Sequence, residues 1–355
     1  MSSKIKSVKL KTKDVPTLIE KLAKILQVFG PVAHGSKFQF DLITEGNQLR
    51  LDYDTTILPP KKYFTPQEQN ILSFSLAPEL SIHEQSKTDA DLKLWNGKRF
   101  LIFGVHSCDL NAMSFLDSIC NQLYQEPFRN QRRREGAIVG LYCLTPCSDS
   151  FCKSMGSLDW NEGADLMLAH IDDEYFVEIL TETGQKIVEY AKELFHSSSK
   201  ADESKAMNML TERTKKFPDP ISNPEKLPEQ LEARYEGEMW DRLGKRCFGC
   251  GSCTMVCPTC FCFDVKDQID LSLSKGIRLR SWDSCQLIDF ALVAGGHNFR
   301  PTIPSRIRFR IYHKFRAEPE QIGKIGCVGC GRCTHACPAD IEMTEILKEI
   351  QKEVN

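Results

Sequence analysis

The cysteine pattern of the C-terminal third constrains this chain more than any other feature of its sequence. Two runs share the spacing C-x2-C-x2-C-x3-C-P, formed by Cys247, Cys250, Cys253 and Cys257 in the first and by Cys327, Cys330, Cys333 and Cys337 in the second. In such a run three thiolates converge on three corners of one cubane from a tight loop, while the fourth leaves in another direction that the following proline fixes. The pattern therefore predicts two 4Fe-4S clusters.

The spacing also predicts that each cluster takes ligands from both runs, because the fourth cysteine of one run binds the cluster of the other. Zinc sites use cysteines in two separated pairs, and neither run has that form. We expect one cluster on Cys247, Cys250, Cys253 and Cys337, and the other on Cys327, Cys330, Cys333 and Cys257.

Three further cysteines of the C-terminal third have no place in this assignment. Cys260 and Cys262 follow the first run closely in CFGCGSCTMVCPTCFC, and Cys285 lies in WDSC. We interpret Cys260 and Cys262 as structural residues packed beside a cluster; the alternative is that one of them binds a further centre.

Composition narrows the class of protein. The 355 residues include 16 cysteines, and the formal net charge of −2 argues against nucleic acid as a partner. A reducing compartment does not favour disulfides, which makes metal binding the better account of so many thiols. The opening MSSKIKSVKLKTKDV has no apolar run behind it, and no stretch approaches the ~20 apolar residues of a membrane helix. We expect a cytoplasmic protein without a membrane span.

The rest of the chain predicts two domains. An α/β or α+β domain is expected over residues 1–220, and a mainly helical, α-helical ferredoxin-like domain with the two clusters over 221–355, because prolines interrupt regular structure in KFPDPISNPEKLPEQ. Strands are predicted in FQFDLI, LRLDY, RFLIFGV and GAIVGLYC, and helices in VPTLIEKLAKILQVFG, DLNAMSFLDSICNQL, GQKIVEYAKELF, KAMNMLTERTKKF and EQLEARYEGEMWDRLGKR.

About eighty residues separate the starts of the two cysteine runs. Within this insert, SWDSCQLIDFALVAGG is compatible with a helix. Arg306, Arg308 and Arg310 alternate with apolar residues, so an extended backbone would place all three on one face. We interpret them as cations that offset the negative charge of thiolate-bound clusters or dock a partner; a solvated edge is the alternative.

Taken together, these motifs resemble those of the iron-sulfur β subunit of cytoplasmic NiFe sulfhydrogenases, a family related to the A-type subunit of anaerobic sulfite reductase. The resemblance spans roughly residues 100 to 341 and rests on GVHSCDLNAMSFLD, NQRRR, GLYCLTPCSDSFCKSMG, CGSCTMVCPTCFCFDV, WDSCQLIDFALVAGGHNFRP, RIRFRIYHKF and CVGCGRCTHACPADIE. It implies an electron conduit that links a subunit binding flavin and NAD(P)H to a catalytic subunit.

The resemblance also points to a third cluster. Cys108, Cys143, Cys147 and Cys152 lie where the family has cysteines in its N-terminal domain. Cys108 follows one predicted strand and Cys143 ends another, and we expect these strand ends to converge at one rim of a sheet. Ser150-Phe151-Cys152 departs from the Cys-Phe-Cys of the family, so Asp109 is an alternative fourth ligand. The competing interpretation is a set of buried structural thiols, which we prefer for Cys120.

Three functions follow as hypotheses. The first is a non-catalytic electron-transfer subunit of a NiFe hydrogenase, whose partners are a flavin/NAD(P)-binding reductase subunit, the hydrogenase small subunit, and its large subunit. The second is the A-type subunit of an anaerobic sulfite reductase, whose partner is the catalytic subunit of that enzyme. The third is an Fe-S sensor or scaffold without catalytic electron flow. The sequence contains no G-x-G-x-x-G for a dinucleotide, and we predict no catalytic residue in this chain.

Overall fold

The computed structural model describes residues 6–76, 79–84, 95 and 97–352. The first five residues of the basic opening segment lie outside this range. Within the described part of the chain, no helix is both long and apolar enough to cross a membrane.

Strands form two sheets. In the described residues they are β1 Lys6–Lys11, β2 Gln27–His34, β3 Lys37–Leu42, β4 Glu68–Ser75, β5 Ser81–Glu84, β6 Phe100–His106, β7 Gly136–Leu141, β8 Leu166–Ile171, β9 Glu174–Ile179, β10 Phe195–Ser197, β11 Phe263–Ile269 and β12 Lys275–Trp282. The larger sheet has the order β10-β1-β9-β8-β7-β6-β2-β3, and its central strands β2, β6, β7 and β8 are parallel. The smaller sheet has the order β11-β12-β4-β5 and is antiparallel.

Helices pack against the larger sheet and are the main regular elements of the C-terminal region. In the described residues they are α1 Val15–Ala23, α2 Ser107–Cys120, α3 Pro127–Glu135, α4 Glu182–Tyr190, α5 Lys200–Arg213, α6 Leu227–Glu232, α7 Met239–Arg246, α8 Ser252–Met255, α9 Ile303–Tyr312, α10 Glu318–Ile322, α11 Arg332–His335 and α12 Met343–Gln351. A π-helical segment, His313–Ala317, joins α9 to α10.

The central parallel strands of the larger sheet are buried in the N-terminal core. Every residue of β7 is buried, as is β6 beyond Phe100, which is typical of strands covered on both faces. Helix α1 buries Val15, Leu18, Ile19 and Leu22, the apolar stripe of an amphipathic helix.

A second core lies among the C-terminal helices. It includes Trp240 and Leu243 of α7, Ile307 and Ile311 of α9, and Leu347 of α12. Phe151, from the N-terminal part of the chain, is buried in the same cluster. The two regions are therefore packed against each other through the segment that contains Cys152.

Most predicted elements are present, and several differ in extent. LRLDY is not a strand: Arg50 donates its backbone N–H to Pro31 at 2.9 Å outside any ladder, and Tyr53 turns into the core. The helix predicted over VPTLIEKLAKILQVFG ends at Ala23, and its last residues belong to β2. EQLEARYEGEMWDRLGKR is divided between α6 and α7.

The insert between the cysteine runs differs most from the prediction. Phe263–Ile269 and Lys275–Trp282 form a hairpin, and the second strand of that hairpin pairs with β4 of the N-terminal region. The helix expected in SWDSCQLIDFALVAGG is reduced to the single 3-10 turn Ile288–Ala291. Polar groups of this segment instead contact the first cysteine run, where the Ser284 and Thr254 hydroxyls lie 2.6 Å apart.

Candidate metal centres

The two cysteine runs fold into nearly identical loops. In each, a glycine in the left-handed region begins a one-turn helix: Gly251 (φ 77°) precedes α8 and Gly331 (φ 77°) precedes α11. Gly249 and Gly329, two residues earlier, also have positive φ, 63° and 66°. Such backbone is inexpensive only for glycine, which explains why both runs contain C-x-G-C-G. The two short helices pack against each other.

The first site draws on both runs. One small cavity is lined by Cys247, Cys250, Cys253 and Cys337. Cys247 accepts the backbone N–H of Gly249 at 3.3 Å, and burial raises the pKa of Cys253 to about 12. Cys250 is exposed, and hydrogen bonds from Ser252 lower its pKa. The structure thus brings together the first predicted ligand set, including the member from the distant run.

The predicted ligands of the second site are Cys327, Cys330, Cys333 and Cys257. Burial raises the pKa of Cys327, and the neighbouring thiols of Cys333 and Cys257 raise it further. Burial likewise raises the pKa of Cys330 to about 12, and Cys257 and Cys333 again contribute. The four thiols are therefore within electrostatic reach of one another. Cys333 also raises the pKa of Cys253, so the first two sites are neighbours.

The pKa of Cys257 is shifted in the opposite direction to those of Cys327 and Cys330. Cys257 is buried, yet its pKa lies well below the ordinary value, first because Cys260 donates a hydrogen bond to it and then because Lys314, Arg310 and Lys61 are near. Cys260 thereby receives a structural role beside a predicted ligand.

Two buried lysines line this site, and no sequence pattern predicts either of them. The Nζ of Lys61 donates to the carbonyl oxygens of Cys257 (2.7 Å) and Cys260 (2.6 Å). The Nζ of Lys314 donates to the Thr259 hydroxyl (2.9 Å) and to the Gly326 carbonyl (2.8 Å). Their exposed fractions are only 4% and 3%. Lys61 lies about 190 residues before the run it contacts, and no sequence signal connects the two.

The arginines of RIRFR lie on a helix, which corrects the extended arrangement considered above. Thr302 caps α9 by accepting the Ser305 N–H, and helical spacing then places Arg306 and Arg310 on one face, turned to the cysteines. Arg310 donates to the Cys253 carbonyl at 3.3 Å, and Arg306 donates to the Gln286 carbonyl at 2.8 Å. Arg308 points elsewhere and donates to the Tyr235 carbonyl.

The third predicted set also meets. A small cavity is lined by Cys108, Cys143, Cys147 and Cys152, with Cys330 of the second site on its wall. The parallel pairing of β6 with β7 sets His106 opposite Leu141, so Cys108 and Cys143 each lie two residues beyond paired strand ends. Ligand sites of open α/β sheets form at this carboxyl edge.

Charge in the third site is balanced by two buried arginines. Arg332 donates through two nitrogens to both carboxylate oxygens of Asp109, each at 2.7 Å. Asp109 is thereby engaged with Arg332, which leaves the four cysteines as the better ligand set. Arg213 donates to the Cys143 carbonyl at 2.6 Å and lowers the pKa of Cys143 and Cys152, although burial raises both overall.

The donor sets fit iron-sulfur clusters chemically. All three sites offer thiols, and buried cations stand beside each of them, as a bound cluster of negative charge requires. Among the described residues, no three His, Cys, Asp or Glu side chains are close enough to share one metal ion. Cys120 is half-buried near the end of α2 and lines none of the three sites.

Comparison with known proteins supports 4Fe-4S clusters in the C-terminal part of the chain. The 4Fe-4S dicluster domain family matches residues 246–341, which include both cysteine runs. The sulfhydrogenase 2 subunit beta of Pyrococcus furiosus is 34% identical over 345 residues, covering 97% of this chain and 98% of that protein. The F420-dependent formate dehydrogenase subunit beta of Methanocaldococcus jannaschii is 28% identical over 187 residues, 50% of this chain and 39% of that protein. The chain therefore carries 4Fe-4S clusters.

Proposed function

We propose that this chain, which belongs to the family of sulfhydrogenase β subunits, transfers electrons within a NiFe hydrogenase complex. Its partner on one side would be a reductase subunit that binds flavin and NAD(P)H, and its partners on the other side would be the small and large hydrogenase subunits. Its coarser role, an iron-sulfur electron-transfer subunit of an oxidoreductase, is supported by both relatives and by the dicluster domain. The chain itself performs no chemistry on a substrate in this proposal, and it works in the cytoplasm.

The observation that most supports an electron-transfer role is that the three thiol sites follow one another through the molecule. Cys253 of the first site lies beside Cys333 of the second, and Cys330 of the second lines the cavity of the third. A 4Fe-4S cluster supplies one-electron transfer, and short separations between centres serve conduction.

For the ligands we propose the twelve cysteines that the sequence predicts. The sites would be Cys247, Cys250, Cys253 and Cys337; Cys327, Cys330, Cys333 and Cys257; and Cys108, Cys143, Cys147 and Cys152. The cations beside them would hold the thiolate form and compensate its charge.

For the organisation we propose an α/β domain over 1–220 and an α-helical ferredoxin-like domain over 221–355. The second core supports the helical assignment, since α7, α9 and α12 contribute to it. The small sheet would then join the two domains, because β4 belongs to one and β11 and β12 to the other.

The alternative partner is the catalytic subunit of an anaerobic sulfite reductase, and a sensor or scaffold without electron flow is the alternative of another class. Affinity purification of the chain from its own cells separates the three. A nickel-containing partner supports the hydrogenase, a siroheme-containing partner supports the reductase, and purification with neither supports the third.

Iron analysis tests the third site separately. We expect about twelve irons per chain, and about eight after Cys108→Ser. A wild-type value near eight, or an unchanged value in the variant, would remove Cys108 and its neighbours from the ligand set.

A further inference from the structure

Two of the unassigned cysteines lie together beside the first site. Cys262 immediately precedes β11, and Cys285 lies three residues after β12. The Asp283 N–H donates to the Cys262 carbonyl at 3.0 Å, which fixes the two chain segments side by side. Neither residue is needed by the three cluster sites proposed above.

The two thiols lie close together, because a hydrogen bond from Cys285 to the Cys262 sulfur shifts the pKa of both. Cys285 is held in place by its neighbour, because the Gln286 amide lies 3.7 Å from the Cys285 sulfur and also donates to the Arg306 carbonyl at 2.8 Å. Cys285 is 4% exposed, whereas Cys262 is only half-buried. Cys262 is therefore the more accessible residue of the pair.

We propose that Cys262 and Cys285 form a thiol–disulfide exchange site that reacts with small disulfides. The Cys262 thiolate attacks one sulfur of RS–SR, the S–S bond breaks, and RS⁻ leaves with a proton as RSH. Cys285 then loses its proton and attacks the Cys262 sulfur of the mixed disulfide, which releases a second RSH. In balance, two protein thiols and one small disulfide give one Cys262–Cys285 disulfide and two small thiols.

The surroundings assign the roles of the two sulfurs. The hydrogen bond from Cys285 and the charge of Lys314 lower the pKa of Cys262 to about 7, near the optimum for an attacking thiol at neutral pH. Burial and the same hydrogen bond raise the pKa of Cys285, so it reacts second. Cys260 differs from this pair, because its thiol is committed to the predicted ligand Cys257.

The test uses the full chain with its clusters, purified without oxygen. It is treated with 2-hydroxyethyl disulfide, quenched with N-ethylmaleimide, digested and mapped by mass spectrometry. We expect one linked peptide joining Cys262 to Cys285, the loss of two alkylated thiols per chain, and unchanged iron. No linked peptide and no adduct at Cys262 in the wild-type chain would overturn the proposal without recourse to any variant.

Variants separate exchange from metal binding. Cys285→Ser should accumulate a stable mercaptoethanol adduct at Cys262, and Cys262→Ser should leave Cys285 at least tenfold slower to react. Cys120→Ser, the matched control outside every site, should form the linked peptide as the wild type does. Loss of iron in Cys285→Ser or Cys262→Ser would show that the pair binds a centre and would refute the exchange site. These outcomes do not depend on which complex the chain joins.

Discussion

Arg332 and Asp109 form a two-bonded ion pair at the boundary between the second and third sites, and both side chains are almost fully buried. Arg332 also donates to the carbonyl and hydroxyl oxygens of Thr56. One residue of the second cysteine run is thus fixed to α2 and to the N-terminal loop, so this pair connects three parts of the molecule.

Removing one partner of this pair should destabilise the fold strongly. Asp109→Asn leaves a buried guanidinium without its counterion, which costs about 3–5 kcal/mol in the free energy of unfolding. Thermal unfolding without oxygen measures the loss. The control is Asp267→Asn, because Asp267 forms a similar two-bonded pair with Arg278 at the surface. That change should cost less than about 1 kcal/mol; equal effects would contradict the prediction.

Cross-ligation makes a prediction about iron. Cys337→Ala should remove about four irons and abolish the signal of the first site, although Cys337 belongs to the second run. Electron paramagnetic resonance of the reduced protein, with iron analysis, provides the measurement. Cys120→Ala should keep the full iron content. Loss of the second cluster with the first retained would show that each run binds its own cluster.

Equivalent glycines of the two runs should respond differently to alanine. A Cβ at Gly329 would lie 2.6 Å from the Phe151 carbonyl group and 2.7 Å from the Cys152 nitrogen, whereas at Gly249 the nearest atom is a flexible arginine nitrogen at 3.4 Å. Both substitutions cost roughly 1–2 kcal/mol for the positive φ. Only Gly329→Ala must also displace the segment that contains Cys152. We therefore expect Gly329→Ala to lose iron and Gly249→Ala to keep it, and equal iron contents would refute this account.

Arg310 should raise the reduction potentials of the clusters it faces. For an assumed separation of about 10 Å and an effective dielectric constant of 20, a unit charge changes the energy of the reduced form by ~1.7 kcal/mol. Arg310→Met should therefore lower a potential by roughly 70 mV. Potentiometric titration followed by electron paramagnetic resonance measures this shift.

The matched control for Arg310 lies on the same helix. Arg308 faces Tyr235, with its guanidinium 4.1 Å from the ring centre, and Arg308→Met should leave the potentials unchanged. Arg310→Lys, which keeps the charge, should restore most of the wild-type value. A shift of equal size in Arg308→Met would indicate a long-range effect of net charge.

The cysteine loops and the strand ends near Cys108 and Cys143 could be predicted from the sequence, because they depend on local geometry. The two cysteine runs have their spacing because a tight glycine-containing loop requires it, and the structure repeats that loop twice. Strand ends at His106 and Leu141 could be placed from apolar runs, which brought Cys108 and Cys143 to one rim.

Contacts between distant segments could not be predicted in this way. Lys61 reaches the first run across about 190 residues, and its own sequence, PPKKY, resembles a solvated turn. The alternation of arginine with apolar residues in RIRFR is compatible with a strand and also with the i, i+4 spacing of a helix. The structure has a helix there, which Thr302 caps at its N-terminus. The composition of SWDSCQLIDFALVAGG is compatible with a helix. In the structure, however, the Ser284 hydroxyl bonds to that of Thr254 and the Gln286 carbonyl accepts from Arg306.

The small sheet has a consequence for how the chain is made. Strand β4 ends at Ser75, and the strand beside it, β12, begins at Lys275. A ribosome adds about 5–20 residues per second, so β4 waits roughly 10–40 s for this partner. Cys257 waits in the same way for the run that begins at Cys327. Iron insertion at the proposed second site therefore has to follow the synthesis of the segment up to Cys333, and proteins that deliver clusters must act after that point.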